Sequence, residues 1–333
     1  MSETANKTEG AVNLGARTIP LPEALSPQAR AVLTAGYGNR PVGGNRGNPE
    51  PALDDTEGWL KMIAASDAMA GQMRATVLAR LKADVEVQTI AGRPVYIGTP
   101  QGERLLDKQK IILEIHGGGL IYGGGEALRL DTAATALRTG RVSYSIDYRM
   151  PPLHPYPAAL DDCVGLYRAL LEKHAAKDIV IMGTSAGGNL AAALALRARD
   201  EGLPQAAGLI LLTPEIDLTE SGDSFSTMVG LDTVLGGRLM QMNLLYAGGA
   251  DLAHPYLSPL FGDFSKGYPP TFLQTGTRDL FLSNTARMHR AIRKAGVRAE
   301  LHVWDGMPHG GFGGVTPEDR EMNVEMQAFI ASL

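Results

Sequence analysis

Short apolar runs alternate with stretches of helical periodicity from about residue 85 to the end of the chain. This alternation predicts a mostly parallel sheet with helices on both faces, an α/β fold. Helices are predicted at 158–173 and 190–199, at 285–295, and from Thr316-Pro317 to the end with Met322, Met326, Phe329 and Leu333 facing inward. The predicted strands are 85–90 and 94–97 (a hairpin), 111–115, 142–148, 179–182, 207–212, 271–274 and 299–303.

Two segments depart from this alternation. Before the first strand, Ser26-Pro27 begins a short helix to about residue 34, and a second helix follows a Gly-, Pro- and Asn-rich stretch at 36–51. Later, 228–246 is predicted to be mainly helical. We interpret 1–83 as an N-terminal helical cap segment, 84–217 and 253–333 as the main α/β domain, and 218–252 as a second cap insertion. Helices that pack elsewhere on the surface are the alternative.

Composition narrows the class of protein. The 333 residues carry a net charge of −5 and 44% hydrophobic residues, which does not favour nucleic acid or a membrane surface as partner. No run of 18 apolar residues is present, and residues 1–16 are too polar for a signal peptide. The single cysteine, Cys163, excludes an internal disulfide framework and fits a cytoplasmic location.

The strand at 179–182 runs directly into Gly183-Thr184-Ser185-Ala186-Gly187, and a helix follows. This is the G-x-S-x-G pattern of a nucleophile elbow. A strand that turns straight into a helix crowds the positions two before and two after its central residue, so glycine is favoured there. The pattern predicts that Ser185 projects from the carboxyl edge of the sheet, although serines also occur in the Gly-rich turns of nucleotide-binding folds.

A second glycine-rich loop, His116-Gly117-Gly118-Gly119, follows the strand at 111–115. Successive glycines let backbone N–H groups converge on one point, as an oxyanion hole requires. A phosphate-binding loop is the alternative, but no G-K-[ST] follows, and Gly123-Gly124-Gly125 lacks dinucleotide-binding spacing. We interpret His116 as a structural residue that braces the loop.

Two further loops follow predicted strands and place polar residues at the same edge of the sheet. Asp279 comes after the strand at 271–274, and His309 comes after the last strand. The chain order Ser185, Asp279, His309 is that of an α/β-hydrolase triad. Asp305 is a rival for the acid because it lies only four residues before His309, and Glu215 and Asp217 also follow a strand.

A metal site has little support in the sequence. None of the seven histidines belongs to an H-E-x-x-H motif, and one cysteine cannot form a Cys pair. We therefore expect neither a metal nor another cofactor.

Together these motifs resemble the bacterial hormone-sensitive lipase family of α/β-hydrolase esterases, in the branch with a Gly-Thr-Ser-Ala-Gly-Gly elbow. The matches extend from about residue 85 to 315, and the two N-terminal helices resemble that family's cap. One departure is Ser283, which stands where many relatives have a second aspartate. Besides the elbow and the Asp279 and His309 loops, the matching pieces are His116-Gly117-Gly118-Gly119, Asp147-Tyr148-Arg149, Pro152, His154-Pro155-Tyr156-Pro157 and Ser258-Pro259-Leu260.

The resemblance implies a role for each site residue. Ser185 attacks the ester carbonyl, His309 is the general base, and Asp279 orients His309. The backbone N–H groups of Gly118, Gly119 and Ala186 form the oxyanion hole. Asp147 and Arg149 brace the loops near the glycine run.

The expected activity is hydrolysis of short- to medium-chain acyl esters, with a small-molecule ester as substrate, no nucleic acid and no stable membrane insertion. Five cap methionines predict an adaptable but closed acyl pocket. The strand at 299–303 is predicted to be an edge strand, and the resemblance implies a homodimer through it. An amidase, lactonase or acyltransferase with the same triad, or a non-catalytic receptor of small ligands, remains open. The methionines are Met62, Met69, Met73, Met240 and Met242.

Overall fold

A computed structural model describes residues 18–38, 50–78 and 80–333, without the side chains of 69–76. In this part of the chain, eight strands form one sheet in the order β1-β2-β4-β3-β5-β6-β7-β8. The six strands β3 to β8 run parallel to one another. Strand β2 pairs antiparallel with both β4 and β1. The predicted α/β-hydrolase sheet is therefore confirmed. The strands are β1 (Ala83–Ile90), β2 (Arg93–Pro100), β3 (Ile111–Ile115), β4 (Val142–Ile146), β5 (Ile179–Thr184), β6 (Gly208–Leu212), β7 (Thr271–Arg278) and β8 (Ala299–Pro308).

The central strands β3, β5 and β6 are buried along almost their whole length because helices cover both faces of the sheet. The final helix begins with the predicted capping box, in which Thr316 and Asp319 exchange hydrogen bonds. The helices are α1 (Pro27–Gly38), α2 (Thr56–Leu78), α3 (Leu128–Thr139), α4 (Ala158–Leu171), α5 (Ala186–Asp200), α6 (Ser224–Thr227), α7 (Met240–Ala247), α8 (Leu282–Lys294) and α9 (Pro317–Ala331).

Helix α3 was not predicted from the sequence pattern. Its buried face includes Thr132, Thr135 and Thr139, so the apolar period of a helix is interrupted. Thr132 and Thr139 donate their hydroxyl hydrogens to carbonyls one turn earlier, and Thr135 donates to Glu114 on β3. Internal hydrogen bonding makes these threonines compatible with burial, which a count of apolar residues does not detect.

The prediction that 228–246 is mainly helical is wrong. The described structure has only α6 and α7 in the insertion, and turns connect them. Helix α6 ends at Thr227, and Gly230 has a φ of 78°, which an α-helix cannot contain. The Asp232 side chain accepts hydrogen bonds from the N–H groups of Val234 and Leu235 and so favours a turn over a helix.

The N-terminal helices contact segments that adjoin the predicted site, in the main domain and in the second insertion. Leu33 of α1 is buried in a cluster with Met307 and Phe312, which flank His309. Trp59 of α2 packs with Ile121 and Leu245, which belong to the loop after β3 and to α7. These contacts favour a cap over the site, and the exact domain boundaries stay a prediction.

Strand β8 lies at the edge of the sheet, as predicted for 299–303. A homodimer through this edge stays a prediction. Within the described ranges, no helix combines the length and the apolar character needed to cross a bilayer.

Candidate active site

The turn between β5 and α5 has the geometry of a nucleophile elbow. Ser185 has φ 58° and ψ −123°, a strained backbone conformation for a residue with a side chain. A Cβ atom built on Gly183 would lie 2.1 Å from the carbonyl oxygen of Gly187, and one built on Gly187 would lie 2.0 Å from that of Ile115. Only glycine fits at these two positions, which is the physical reason for the G-x-S-x-G spacing.

The glycine loop after β3 packs directly against this elbow. A Cβ atom built on Gly117 would lie 2.9 Å from the carbonyl oxygen of Thr184. Gly118 and Gly119 have φ values of 120° and 58°, and their N–H groups donate to no other described residue. Ala186 is the first residue of α5, where the N–H has no partner inside the helix. These three N–H groups are therefore available to an oxyanion next to Ser185.

The structure brings Ser185, His309 and Asp279 together. His309 Nε2 lies 2.8 Å from Ser185 Oγ, and His309 Nδ1 lies 3.1 Å from Asp279 Oδ1. Asp279 also accepts hydrogen bonds from the Phe281 N–H at 2.9 Å and the Thr275 hydroxyl at 2.7 Å. With its proton on Nδ1, His309 donates to Asp279 and accepts from Ser185, the arrangement a general base needs.

Burial lowers the pKa of His309, but nearby carboxylates outweigh it. The hydrogen bond and the charge of Asp279 raise the pKa, and Asp232 and Glu215 add to the increase. The net result is a pKa above the usual value for histidine. The Phe281 ring also packs edge-on against the imidazole, with 4.9 Å between the ring centroids. The site therefore stabilises the imidazolium that forms when His309 takes a proton.

The other carboxylates considered as the acid lie elsewhere. Asp305 is exposed, and its nearest hydrogen-bond partner is the Thr277 hydroxyl at 3.5 Å. Asp217 is paired with Arg287 at 2.7 Å. The backbone N–H of Glu215 donates to the Ser185 carbonyl, and burial raises the pKa of the Glu215 carboxyl to about 8. None of the three takes the position that Asp279 occupies at His309 Nδ1.

Residues predicted to be structural make the following contacts. The His116 ring stacks on Tyr148 with 4.1 Å between centroids. A Cβ atom built on Gly124 would lie 2.7 Å from an Asp147 carboxylate oxygen, so Asp147 contacts the glycine run. Arg149, in contrast, forms a bidentate pair with Asp162 of α4. Arg149 therefore ties the loop after β4 to α4, and the next residue of this loop, Met150, lies against Gly124.

Ser283 has its own partner in place of the aspartate of many relatives. Its hydroxyl accepts a hydrogen bond from the Ser224 N–H, and the Ser224 hydroxyl accepts one from the Ser283 N–H, each at 2.9 Å. These two bonds link α6 to the start of α8 without a second carboxylate. The departure therefore leaves the Asp279–His309 contact undisturbed.

Sequence reasoning did not find Asp232. Its carboxylate lies with Asp279 and His309 in a cluster whose ligand-type atoms are all within 4.8 Å of one another. Both imidazole nitrogens already make hydrogen bonds, to Asp279 and to Ser185, so the cluster fits proton transfer better than cation binding. Asp232 belongs to the segment predicted as helix, and no local motif marks it.

Comparison with known proteins agrees with this geometry. A sequence model of the α/β hydrolase fold matches residues 112–312. The chain is similar to an esterase of Acinetobacter venetianus (31% identical over 253 residues, 74% of this chain and 83% of that protein). It is also similar to an acetyl-hydrolase of Streptomyces hygroscopicus (32% identical over 225 residues, 66% of this chain and 75% of that protein).

Solved structures extend the similarity over nearly the whole chain. A crystal structure of an esterase, E25, has a TM-score of 0.85 and 34% identity and covers 97% of this chain and 99% of its own. An esterase from the bacterial hormone-sensitive lipase family has a TM-score of 0.77 and 29% identity, with 93% and 99% covered. The chain therefore belongs to the α/β-hydrolase family, in its branch of bacterial hormone-sensitive lipase-type esterases.

Proposed function

We propose that this protein is a serine carboxylesterase that hydrolyses short- to medium-chain acyl esters through an acyl-enzyme intermediate. The observation that carries the proposal is the continuous hydrogen-bonded path from Ser185 through His309 to Asp279. The path lies beside the glycine loop, so a nucleophile, a base and oxyanion donors are available at one point.

In the acylation step, Ser185 Oγ forms a bond to the ester carbonyl carbon while its proton moves to His309 Nε2. The carbonyl oxygen becomes an oxyanion, which accepts hydrogen bonds from the N–H groups of Gly118, Gly119 and Ala186. Asp279 stabilises the imidazolium. The bond to the leaving alcohol then breaks, and His309 returns its proton to the departing oxygen.

In the deacylation step, a water molecule takes the place of the alcohol. His309 Nε2 accepts a proton from this water, and the water oxygen attacks the acyl carbon. The tetrahedral intermediate collapses, the bond to Ser185 Oγ breaks, and His309 returns the proton to the serine. The products are a carboxylic acid and the free enzyme, and this cycle needs no cofactor.

The cap limits the space above the oxyanion loop. A Cβ atom built on Gly119 would lie 3.1 Å from Met242 Sδ, so α7 lies close above this loop. Met242 also packs with the cluster around Trp59 and with the one around Phe281. The side chains of Met69 and Met73 lie outside the described residues. A flexible thioether close to the oxyanion loop favours a closed, adaptable acyl pocket.

Activity should decline with acyl length, and a series of p-nitrophenyl esters from acetate to palmitate measures this. Met242→Ala is expected to shift the preference toward longer acyl chains because it removes side-chain volume above the oxyanion loop. Leu244→Ala is the matched control, since Leu244 lies on the same helix and is exposed. Efficient turnover of emulsified long-chain lipid by the wild type would contradict the closed pocket, and turnover of amides or lactones in preference to esters would contradict the substrate class.

The pH profile should follow the ionisation of His309. The imidazole must be neutral to accept the Ser185 proton, so kcat/KM should rise with pH through the pKa of His309 in the free enzyme. Because that pKa is raised, the midpoint is expected above the ordinary histidine value of about 6.5. Activity is therefore lost as the pH falls through this value. A flat profile between acid and neutral pH, with the protein still folded, would exclude this role.

The remaining expectations are part of the same proposal. We place the enzyme in the cytoplasm, where its single cysteine stays reduced, and Cys163 is buried in the structure. Its partners are the small-molecule ester and a second copy of the chain that pairs through β8. Nucleic acid and stable membrane insertion have no part in the proposal.

A further inference from the structure

A fourth side chain, Asp232, lies against the proposed triad and comes from the segment predicted as the second cap insertion. It is completely buried. Its Oδ2 accepts a hydrogen bond from the Leu280 N–H at 2.9 Å, and its Oδ1 accepts one from the His309 N–H at 3.3 Å. Leu280 follows Asp279 directly. One carboxylate is therefore bound to both loops that carry the histidine and its acid.

The turn that carries Asp232 is itself held by the N-terminal segment. The Tyr37 hydroxyl at the end of α1 donates to the Leu231 carbonyl at 2.7 Å. The Arg278 guanidinium donates to the Tyr37 oxygen at 2.7 Å and to the Pro20 carbonyl at 2.6 Å. Arg278 lies immediately before Asp279. Both parts of the predicted cap are therefore connected to the acid loop through Tyr37 and Asp232.

We propose that Asp232 is a positioning residue of the catalytic centre. Its carboxylate fixes the positions of the Asp279 and His309 loops relative to each other and supplies a second negative charge to the imidazolium. The inference rests on the proposed role of His309 as general base. In this arrangement the two-loop contact depends on the docked cap, because the carboxylate belongs to the insertion. A shift of the insertion would move it away from both loops.

The hydrogen bonds indicate that Asp232 acts as a carboxylate. All four that it makes are accepted from backbone N–H groups, two within its own turn and two from the triad loops. Hydrogen bonds of this kind stabilise the ionised form. Burial, the largest effect, and the charge of Asp279 leave the pKa of Asp232 above its usual value, although His309 and the N–H groups lower it. The acidic groups that face His309 are Asp279, Asp232 and Glu215. Asp279 and Asp232 raise the pKa of the imidazole, and Glu215, whose own pKa is raised to about 8, adds to this increase only where it is ionised.

The decisive variant is Asp232→Asn, which removes the charge and keeps the size. Its kcat on a short p-nitrophenyl ester should fall about 10- to 100-fold with KM changed less than about threefold, because the loss falls on the imidazolium-like transition state. In the pH profile of kcat/KM, the rise on the acidic side (the acid limb) should move to lower pH by about one unit. The reason is that one negative charge no longer favours the protonated imidazole. Asp279 and Glu215 are left intact, so their contributions stay constant.

Two further variants separate charge from shape. Asp232→Glu retains the charge, so its acid limb should stay at the wild-type pH even if the extra methylene slows turnover. Asp223→Asn removes one charge from an exposed position of the same insertion and should change neither kcat nor the limb. If Asp232→Asn does not fold, Asp232→Thr gives a neutral side chain whose hydroxyl can still accept a turn hydrogen bond.

An unshifted acid limb in a folded neutral variant, or a loss confined to KM, would overturn the inference and reduce Asp232 to a brace of the cap. The inference is supported if the acid limb shifts in the neutral variant and stays at the wild-type pH in Asp232→Glu. Failure of the proposed function itself looks different, because wild-type Ser185 would then not be labelled by a fluorophosphonate. If the wild type is labelled at Ser185 but the acid limb of the neutral Asp232 variant does not shift, the proposed function stands and only the inference about Asp232 fails.

Discussion

Replacing Ser185 with alanine is expected to lower kcat about 10⁶-fold, the loss typical when a serine hydrolase loses its nucleophile. The structure gives the reason, since Ser185 Oγ is the oxygen that lies 2.8 Å from His309 Nε2. The backbone of the elbow and the glycine loop should be preserved, so substrate binding should change little. A fluorophosphonate probe should label the wild-type protein once per chain, at Ser185, and intact-protein mass spectrometry measures this.

The matched control is Ser226→Ala, because Ser226 is an exposed serine of α6. It should retain wild-type turnover and labelling. Residual turnover in Ser185→Ala of the order of the wild-type rate, or labelling at another serine, would end the acyl-enzyme mechanism. A receptor on this fold would show neither turnover nor stoichiometric labelling.

Asp279→Asn is expected to lower kcat about 10⁴-fold, equivalent to roughly 5 kcal/mol. Asp279 Oδ1 faces His309 Nδ1 and also accepts from the Phe281 N–H, and Oδ2 accepts from the Thr275 hydroxyl. The amide NH₂ of asparagine must replace one of these acceptors. If the NH₂ group faces His309, it donates a hydrogen bond to Nδ1 and so favours the tautomer with the proton on Nε2. Ser185 would then have no base to accept its proton.

Asp305→Asn is the comparison that tests this assignment. Asp305 is the carboxylate closest to His309 in sequence, but it is exposed and its nearest hydrogen-bond partner is the Thr277 hydroxyl. Its replacement should change kcat less than about threefold, as for an ordinary surface substitution. Circular dichroism checks that both variants are folded. If Asp305→Asn is the severe variant and Asp279→Asn the mild one, the acid has been assigned to the wrong loop.

Features that depend on neighbouring residues could be predicted from the sequence alone. Gly183 has no space for a Cβ atom because the Gly187 carbonyl of the same five-residue elbow lies against it, whereas the restriction on Gly187 comes from Ile115 of β3. The alternation of strands and helices was likewise sufficient for the fold class, which the sheet confirms. The family and the ester hydrolase class followed from the order of these motifs, and the similar proteins agree with both.

Features that depend on distant parts of the chain could be found only in the folded protein. Sequence proximity could not separate Asp279 from Asp305, since the choice rests on which loop reaches His309 across the edge of the sheet. Asp232 had no local motif because its partners, Leu280 and His309, belong to other loops. Helix α3 could not be predicted for a related reason. Its buried threonines are hydrogen-bonded to partners that are in place only in the folded protein. Local sterics can be deduced from adjacent residues, whereas the partner of a buried polar group is determined only by the packing of the whole chain.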